Sequence, residues 1–369
     1  ITEVRIFSDE HFFVNRAHGS LRMISCLKIR LFQSVIATTI GLIIANNAST
    51  AEPTARPVQN RQPVISSVCL QTAGDLMATA GDDHIVRIWN LKTGTQVHEL
   101  RGHNGWIRTI TFIGNSNILA TAGDDGQVIR WDCVSGRQLD VLLTLEHAIW
   151  RIAVNPQATQ LAVSGFTSTV TVVDLVDKQI TQQHQHPTSD IRGLAYSTTG
   201  DRLACGGRDG MIRIWSTTSG ELLATVAAHQ RRIRDLSFIK SDSHIVSISD
   251  DRTLRVSSLT ADPTSTNTGY SIALEKQLPF ALTVCGDAQV AIGSSDNQIH
   301  LWNIDSKQQT RIFQGHTGSV IALDFSPSND GHTGLLVSGS FDTSIRTWQI
   351  KTNAEEEIRV SKQSTANRK

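Results

Sequence analysis

The chain has 369 residues, of which 39% are hydrophobic and 18% are charged, and its formal net charge is zero. This composition is typical of a folded globular protein and, with 26 Gly and 8 Pro, excludes a collagen-like or low-complexity chain. A neutral chain also lacks the basic excess expected of a protein that coats nucleic acid, so we expect no nucleic-acid partner.

The first 51 residues form two predicted segments that precede the folded domain. Residues 1–22 begin without Met and show no sustained periodicity, and we interpret them as a non-native upstream extension. Residues 23–51 start at Met23, carry Lys28 and Arg30, and continue into a largely apolar run over 31–45 that small residues follow. A basic start, an apolar core and a small-residue cleavage site predict a secretory signal peptide. We therefore expect export to the periplasm or the extracellular space.

Two other interpretations of the apolar run are an apolar strand and a short membrane anchor, and the alternative to export is a cytoplasmic location. A transmembrane helix needs about 20 apolar residues, and the run over 31–45 is shorter than that. We therefore expect no stable membrane anchor. Residues 52–62, which contain Pro53 and Pro57 among small polar residues, predict a linker.

A hairpin-like pattern repeats along residues 63–361, and its clearest copy runs from His103 to Trp131. Two apolar runs in this copy flank a turn that contains Asp125 and Gly126, residue types that tolerate the positive φ angles of hairpin turns. The residues aligned with Trp131, at steps of 42 to 46 positions, are Trp89, Val173, Trp215, Ser257, Trp302 and Trp348. Seven copies of a four-strand unit predict an all-β fold, a single seven-bladed β-propeller of four-stranded antiparallel blades.

Blade two starts with Gly102-His103 and ends with Trp131-Asp132, and with its copies it resembles the repeats of the WD-repeat (WD40) family over roughly residues 63–361. The resemblance implies a buried network in each blade, made of a His before the inner strand, a hydroxyl on the second strand, the turn Asp and the Trp of the third strand. Two blades carry the full set, which is His103, Thr121, Asp125 and Trp131 in blade two and His316, Ser338, Asp342 and Trp348 in blade seven. Blades three and six depart from it most.

Two segments could supply the outer strand that closes the ring at blade seven. Residues 357–360 follow Trp348 at the spacing of an outer strand, whereas residues 56–61 contain Pro57, which is tolerated only at a sheet edge. We expect closure by the C-terminal segment, with residues 362–369 as a tail. The four cysteines of the propeller fall in different blades without a CxxC pair, so we interpret them as small apolar core residues.

Catalytic propellers place His, Asp or Glu on the innermost strands, where the side chains converge at the mouth of the central channel. Those strands here contribute only Asp235 and Asp324. The chain shows no Ser-His-Asp set or phosphate-binding loop, and His184 with His186 lacks a third metal ligand at a recognisable spacing. We therefore expect no enzyme, no catalytic residue, no metal site and no cofactor. The alternative is a propeller enzyme or small-ligand binder that uses the channel mouth.

The resemblance implies that partners dock on the narrower face, around the channel, at positions beside the start of each inner strand and just before the turn Asp. Those positions are rich in Arg and aromatic residues, which dominate interface hot spots. The predicted partner-binding residues are Trp106, Arg108, Trp150, Phe166, Arg192, Arg208, Arg232, Arg234, Phe280 and Phe341. Equivalent arginines in blades two, four and five predict a positively charged arc that faces a carboxylate-bearing partner. We expect a monomeric, non-catalytic scaffold whose partners are other proteins.

Overall fold

The structure is a computed structural model that describes residues 62–72, 74–259, 269–275, 277–328 and 332–351. The predicted extension, signal peptide, tail and both candidate closing segments, and all of the predicted linker except residue 62, lie outside the described residues. The described part contains 27 strands in seven antiparallel sheets, which confirms the predicted seven-bladed β-propeller. Six blades have four strands, and three strands of blade seven are described. No helix in the described ranges is long and apolar enough to cross a membrane.

The innermost strands line the central channel, and six of the seven shift register near the start because a residue bulges out of the ladder. These strands are β1 (Ile65–Leu70), β5 (Ile107–Phe112), β9 (Ile149–Val154), β13 (Gly193–Tyr196), β17 (Ile233–Ile239), β21 (Pro279–Val284) and β25 (Val320–Pro327). Strand β21 begins at Pro279, and its bulge lies between Pro279 and Ala281. Strand β25 extends through Pro327.

The second strands are the most deeply buried, because both of their faces are covered by neighbouring blades. These strands are β2 (Leu76–Gly81), β6 (Ile118–Gly123), β10 (Gln160–Gly165), β14 (Arg202–Gly206), β18 (His244–Ser249), β22 (Gln289–Ser294) and β26 (Thr333–Ser340). Small residues occupy their ends, where the bulged inner strand approaches closely. A Cβ on Gly123 would lie 2.1 Å from the carbonyl oxygen of Trp106, so a larger residue does not fit there.

The third strands carry the Trp positions of the repeat, and the outer strands carry exposed polar and apolar residues. The third strands are β3 (Ile85–Asn90), β7 (Gln127–Asp132), β11 (Thr169–Asp174), β15 (Met211–Ser216), β19 (Thr253–Ser258), β23 (Ile299–Asn303) and β27 (Ile345–Lys351). The outer strands are β4 (Thr95–Arg101), β8 (Arg137–Thr144), β12 (Ile180–Gln185), β16 (Leu222–Ala227), β20 (Gly269–Ala273) and β24 (Gln308–Phe313).

The hydrophobic core lies between adjacent blades and continues around the whole ring. Ile88 and Leu100 of blade one, for example, pack with Ile107 and Trp131 of blade two. The first and last blades pack in the same way, through a cluster whose members are Ile65, Val68, Leu70, Met77, Ala322 and Val337. The ring is therefore closed by packing of blade one on blade seven, which fixes all seven inner strands in one frame.

Candidate functional site

The four predicted network residues of blade two lie within hydrogen-bond distance of one another. His103 Nδ1 lies 2.7 Å from Asp125 Oδ2, and its Nε2 lies 2.7 Å from Thr121 Oγ1. The Trp131 indole N–H donates to the same hydroxyl oxygen over 2.8 Å. All these groups are satisfied when His103 carries its proton on Nδ1 and Thr121 donates to Nε2. Burial acts to raise the pKa of Asp125, but donors from His103 and the Asn104 amide hold it below its ordinary value.

Blade seven has the same geometry. His316 Nδ1 lies 2.9 Å from Asp342 Oδ2, His316 Nε2 lies 2.8 Å from Ser338 Oγ, and the Trp348 indole N–H donates to that hydroxyl over 2.9 Å. Burial acts to raise the pKa of Asp342, but hydrogen bonds led by the Ser344 hydroxyl lower it. The network therefore holds an ionised carboxylate at the turn in both blades.

Three other blades pair the turn Asp with a cation or an imidazole located four residues later, on the third strand. These pairs are Arg87–Asp83 at 2.6 Å in blade one, Arg213–Asp209 at 2.8 Å in blade four and His300–Asp296 at 3.0 Å in blade six. Sequence reasoning missed them, although the signal was present as an Arg or His four positions after each turn Asp. A basic side chain thus replaces the network His where the latter is absent or displaced.

In blade four, the side chain of His186 does not contact the carboxylate of the turn Asp directly. Its Nε2 lies 2.6 Å from Arg213 Nη1 and 3.7 Å from Asp209. Burial lowers the pKa of His186, and the charge of Arg213 lowers it further. Arg213 therefore stands between the two groups and makes the contact that the His makes in blade two.

The channel holds a cavity of about 450 Å³ that the inner strands line from the mouth downward. Trp106, Trp150, Phe280 and Phe341 surround the mouth. Deeper in the channel, Arg151 Nη2 of blade three reaches Asp235 Oδ1 of blade five over 2.7 Å. This ion pair joins residues 84 positions apart in the chain.

The two acids of the channel wall accept hydrogen bonds that connect neighbouring blades. Asp235 accepts from the Leu282 amide of blade six over 3.3 Å, and Asp324 of blade seven accepts from the Leu70 amide of blade one over 2.7 Å. Burial raises the pKa of Asp235 and raises that of Asp324 to about 6. Both carboxylates therefore have structural partners, and Asp324 contributes to the closure of the ring.

Arginine and aromatic side chains alternate in a stack across blades two to four at the mouth. The Arg108 guanidinium carbon lies 3.9 Å from the ring centre of Trp106 and 5.1 Å from that of Trp150. The Arg192 guanidinium carbon lies 3.9 Å from Trp150 and 5.9 Å from Phe166. Trp150 and Phe166 also meet edge to face, with ring centres 5.7 Å apart. Cation–π contacts of this kind hold the long Arg side chains in place.

Each Arg of the predicted positive arc forms an ion pair with a carboxylate of its own blade. These pairs are Arg108–Asp124 at 2.7 Å, Arg192–Asp190 at 2.7 Å and Arg234–Asp250 at 2.5 Å. The pairing corrects the expectation of a uniformly positive arc, because three of its charges are compensated within the chain. The sequence alone did not pair these arginines with carboxylates.

Six of the ten predicted partner-binding residues line the cavity, and the other four lie in blades three to five. The six that line it are Trp106, Arg108, Trp150, Arg234, Phe280 and Phe341. Of the other four, Phe166 and Arg192 join the stack, and Arg232 Nε lies 2.9 Å from Asp190. Arg208 is exposed and has no ion pair among the described residues.

Within the described ranges, no cluster of three or more His, Cys, Asp or Glu side chains is arranged to hold a metal ion. The four described cysteines are free thiols, of which Cys133, Cys205 and Cys285 are buried and Cys69 is partly buried. Burial raises the pKa of the Cys133 thiol to about 12. Thiols of this kind are inert near neutral pH, as expected of core residues.

The family model described as "WD domain, G-beta repeat" matches residues 56–90, 94–132, 177–216, 220–257 and 307–349, which together make up just over half of the chain. The chain belongs to the WD-repeat family. Four of the matches begin near the outer strand of one blade and end at the third strand of the next, so each of these repeats connects two blades. The unmatched stretches 133–176 and 258–306 contain the inner three strands of blades three and six, which the sequence marks as most divergent.

Three curated WD-repeat relatives illustrate the range of similarity. The chain is 30% identical over 191 residues to a Periodic tryptophan protein 2 homolog of Dictyostelium discoideum, covering 51% of this chain and 20% of that protein. It is 29% identical over 186 residues to Nuclear distribution protein PAC1-2 of Uncinocarpus reesii, covering 50% of this chain and 36% of that protein. It is 26% identical over 316 residues to Ribosome biogenesis protein YTM1 of Scheffersomyces stipitis, covering 73% and 59%. The chain thus spans between about a fifth and three fifths of these proteins.

These relatives contradict the prediction of export. Ribosome biogenesis and nuclear distribution, the processes in two of the names, take place inside cells. The prediction rested on residues 23–51 alone, which lie outside the described residues. An apolar run after two basic residues was therefore insufficient evidence for a signal peptide.

Proposed function

We propose that this WD-repeat propeller is a non-catalytic platform for binding other proteins, and that its partners dock around the channel mouth. The observation that carries the proposal is the cluster of Arg and aromatic side chains that six blades bring to one face. Residues of these types supply most of the binding energy at protein interfaces. The processes in the relatives' names support a role inside the cell.

The cluster is held in place before any partner arrives. Arg108 lies between two Trp rings and makes two hydrogen bonds to Asp124, of 2.8 and 2.7 Å. A side chain already fixed in this way loses little conformational entropy on binding, so more of the contact energy appears as affinity. Because the ring is rigid, the backbone of the whole face also loses little conformational entropy on binding.

The channel acids also favour a non-catalytic role. A general acid or base needs a carboxyl group that reaches a substrate and exchanges a proton with it. Asp235 is occupied by Arg151 and the Leu282 amide, and Asp324 by the Leu70 amide. Both carboxyl groups stabilise contacts between blades, so we assign them to the fold.

The experiment is quantitative affinity capture from a cell extract with the full chain and two matched double variants. Phe166→Ala with Phe341→Ala removes two rings of the face that are 44% and 47% exposed. Leu222→Ala with Leu223→Ala removes two apolar side chains of outer strand β16 that are 52% and 53% exposed. Since all four side chains are about half exposed, both variants should fold.

We expect the first variant to recover at least about fivefold less of a stoichiometric protein partner, because aromatic anchors are commonly worth 1 kcal/mol or more. The second variant should capture as much as the unmodified chain. Loss of capture in the β16 variant alone would place the interface on the outer strands and contradict the proposal.

A second candidate function is the binding of a small ligand in the channel. The cavity of about 450 Å³ is within the range of ligand pockets, and the Arg151 side chain at its wall is 38% exposed. A metabolite that raises the melting temperature of the chain but not that of Arg151→Met would favour this function. Equal stabilisation of both proteins would argue against binding at Arg151.

A further inference from the structure

Three blades place an Arg at the same position of the channel mouth, directly after the first apolar residue of the inner-strand segment. In blades two and five this Arg pairs with the Asp that precedes the turn Asp, through Arg108–Asp124 and Arg234–Asp250. Each of these two blades is therefore neutral at these two positions. Blades two and five therefore serve as a reference for blade four, which differs from them.

Blade four has Arg192 and Arg208 at the two equivalent positions, so two cations stand where its sister blades have an ion pair. Arg192 turns instead to Asp190, whose backbone has a φ of 67° in the left-handed region. Asp is one of the few residue types that tolerate this conformation. Arg208 is exposed and lacks an ion pair among the described residues.

The carboxylates near blade four are shared among several arginines. Asp190 lies 2.7 Å from Arg192 and 2.9 Å from Arg232, and Asp250 lies 2.5 Å from Arg234 and 3.8 Å from Arg232. Three guanidinium groups thus share two carboxylates. Arg208 adds a fourth cation nearby, because the Gly206 and Gly207 carbonyls just before it accept from the Arg192 and Ile233 amides. Burial lowers the pKa of Arg192, Asp190 opposes this, and the charges of Arg234 and Arg232 lower it further. The charges of these two neighbours therefore act against the charged form of Arg192.

We propose that Arg208, with Arg192 and Arg232 beside it, receives a carboxylate side chain of a docked protein. The inference rests on the proposed docking function and names the chemistry that blade four recognises. The incoming Asp or Glu takes the place that Asp124 and Asp250 hold in the sister blades. Arg and carboxylate groups match in shape and can form two parallel hydrogen bonds, which gives such a contact its selectivity.

The aromatic neighbours define what surrounds the carboxylate. Phe166 is 44% exposed and its ring centre lies 5.9 Å from the Arg192 guanidinium carbon. An apolar residue next to the partner's acid can cover this ring and exclude water from the charge pair, which strengthens it. The site therefore fits a peptide segment in which an acidic residue adjoins an apolar one.

The test uses a random peptide library displayed on phage and selected against the full chain, Arg208→Asp and Arg137→Asp. Arg208→Asp recreates the Arg and Asp pattern of blades two and five. Arg137→Asp makes the same change of charge at an exposed residue at the start of outer strand β8. We expect Asp and Glu to be enriched in peptides selected by the full chain and by Arg137→Asp, but not in those selected by Arg208→Asp.

Fluorescence anisotropy then measures the affinity of one selected peptide and of its Glu→Gln version for the unmodified chain and for Arg208→Asp. The comparison gives the interaction energy between the peptide's Glu and Arg208. The Glu→Gln change should weaken binding to the unmodified chain about tenfold, and binding to Arg208→Asp less than about twofold. The same loss in both proteins, continued acidic enrichment with Arg208→Asp, or tighter binding of a uridylate oligonucleotide than of the peptide would overturn the inference.

The Phe166→Ala, Phe341→Ala variant separates this inference from the docking function. Peptides that need those two rings but show no acidic preference overturn the inference and leave the docking platform standing. Failure to recover any peptide that depends on the face contradicts both.

Discussion

Blades two and four hold their turn Asp in different ways. In blade two the Asp125 carboxylate meets the imidazole of His103, which continues to a hydroxyl and an indole. In blade four Asp209 meets the guanidinium of Arg213, and Cys205 occupies the hydroxyl position. The fold therefore requires a basic or hydrogen-bonding partner for this carboxylate, but it does not require one particular residue.

The same two blades differ at the channel mouth, where the consequence is functional. In blade two, Arg108 and Asp124 form an ion pair, so these surface charges compensate each other. Blade four has Arg208 in place of the Asp and retains a free cation in the described part of the chain. The charges of blade two thus compensate each other within the blade. We propose that the cation of blade four pairs with a carboxylate of a partner.

The largest effect should come from removing the centre of the blade-two network. Asp125→Ala leaves His103 and the Asn104 amide without their acceptor in a partly buried site, which should cost about 3 kcal/mol of unfolding free energy. Asp132→Ala, in the same blade, removes only contacts within an exposed turn and should lower the unfolding free energy much less. Urea unfolding measures both, and equal costs would mean that the network is not important for stability.

The Trp of the third strand also differs between blades two and four in its hydrogen bonding. Trp131 and Trp215 are 2% and 5% exposed, but only Trp131 donates a hydrogen bond among the described contacts, to Thr121. Trp131→Phe should therefore cost about 2 kcal/mol, and Trp215→Phe about 1 kcal/mol less. Thermal unfolding followed by circular dichroism measures the difference, and a larger loss for Trp215→Phe would contradict it.

The acid that joins blade seven to blade one predicts a dependence on pH. Because burial raises the pKa of Asp324 to about 6, the folded chain binds a proton more tightly than the unfolded chain. The contribution of Asp324 to stability is thus fully present below about pH 3.8 and is lost as pH rises through about 6. Asp324→Asn removes the charge and keeps one oxygen for the Leu70 amide, but it loses the oxygen that accepts from the Phe325 amide, so it should stabilise the chain by only about 1 kcal/mol at pH 7.5.

The control for this prediction is Asp324→Ala, which lacks the acceptor. It should be less stable than Asp324→Asn at both pH 7.5 and pH 5, whereas the advantage of Asp324→Asn over the unmodified chain should shrink at pH 5. An advantage of Asp324→Asn that grows on acidification would show that the carboxylate is not protonated in this range.

The smallest effect concerns the surface charges of the two blades. Arg208→Asp should raise the unfolding free energy by a few tenths of a kcal/mol, because it relieves repulsion near Arg192, whereas Arg108→Asp should lower it by a similar amount. Both differences should diminish in 1 M salt, where charges are screened within about 3 Å. Melting curves at low and high salt measure them, and the same sign for both substitutions would contradict the charge assignment.

The fold was predictable from the sequence because its signal recurs. Trp131, Asp125 and their equivalents return at nearly constant spacing, and the number of copies predicts the number of blades. The contacts of blades two and seven followed from the same alignment. Blade six was harder to align, because Pro279 starts β21 at the position where five other inner strands start with Ile or Val.

The chemistry of the channel and its mouth was only partly predictable. The sequence placed the arginines on one face, but their partners depend on side-chain geometry and on the left-handed backbone of Asp190. The pair of Arg151 and Asp235 joins blades that are not adjacent, so no local pattern signals it. The prediction of export failed for a different reason, since it rested on a segment that is separate from the repeats.

Hydrogen–deuterium exchange of the chain bound to its captured partner tests the docking function most directly. We predict that protection on binding is greatest in peptides covering 104–108, 148–151, 190–192, 207–209 and 231–234, which approach the channel mouth. Outer strands such as β8 and β16 should exchange at the rate of the free chain. Protection confined to those outer strands, with the mouth unchanged, would contradict the account.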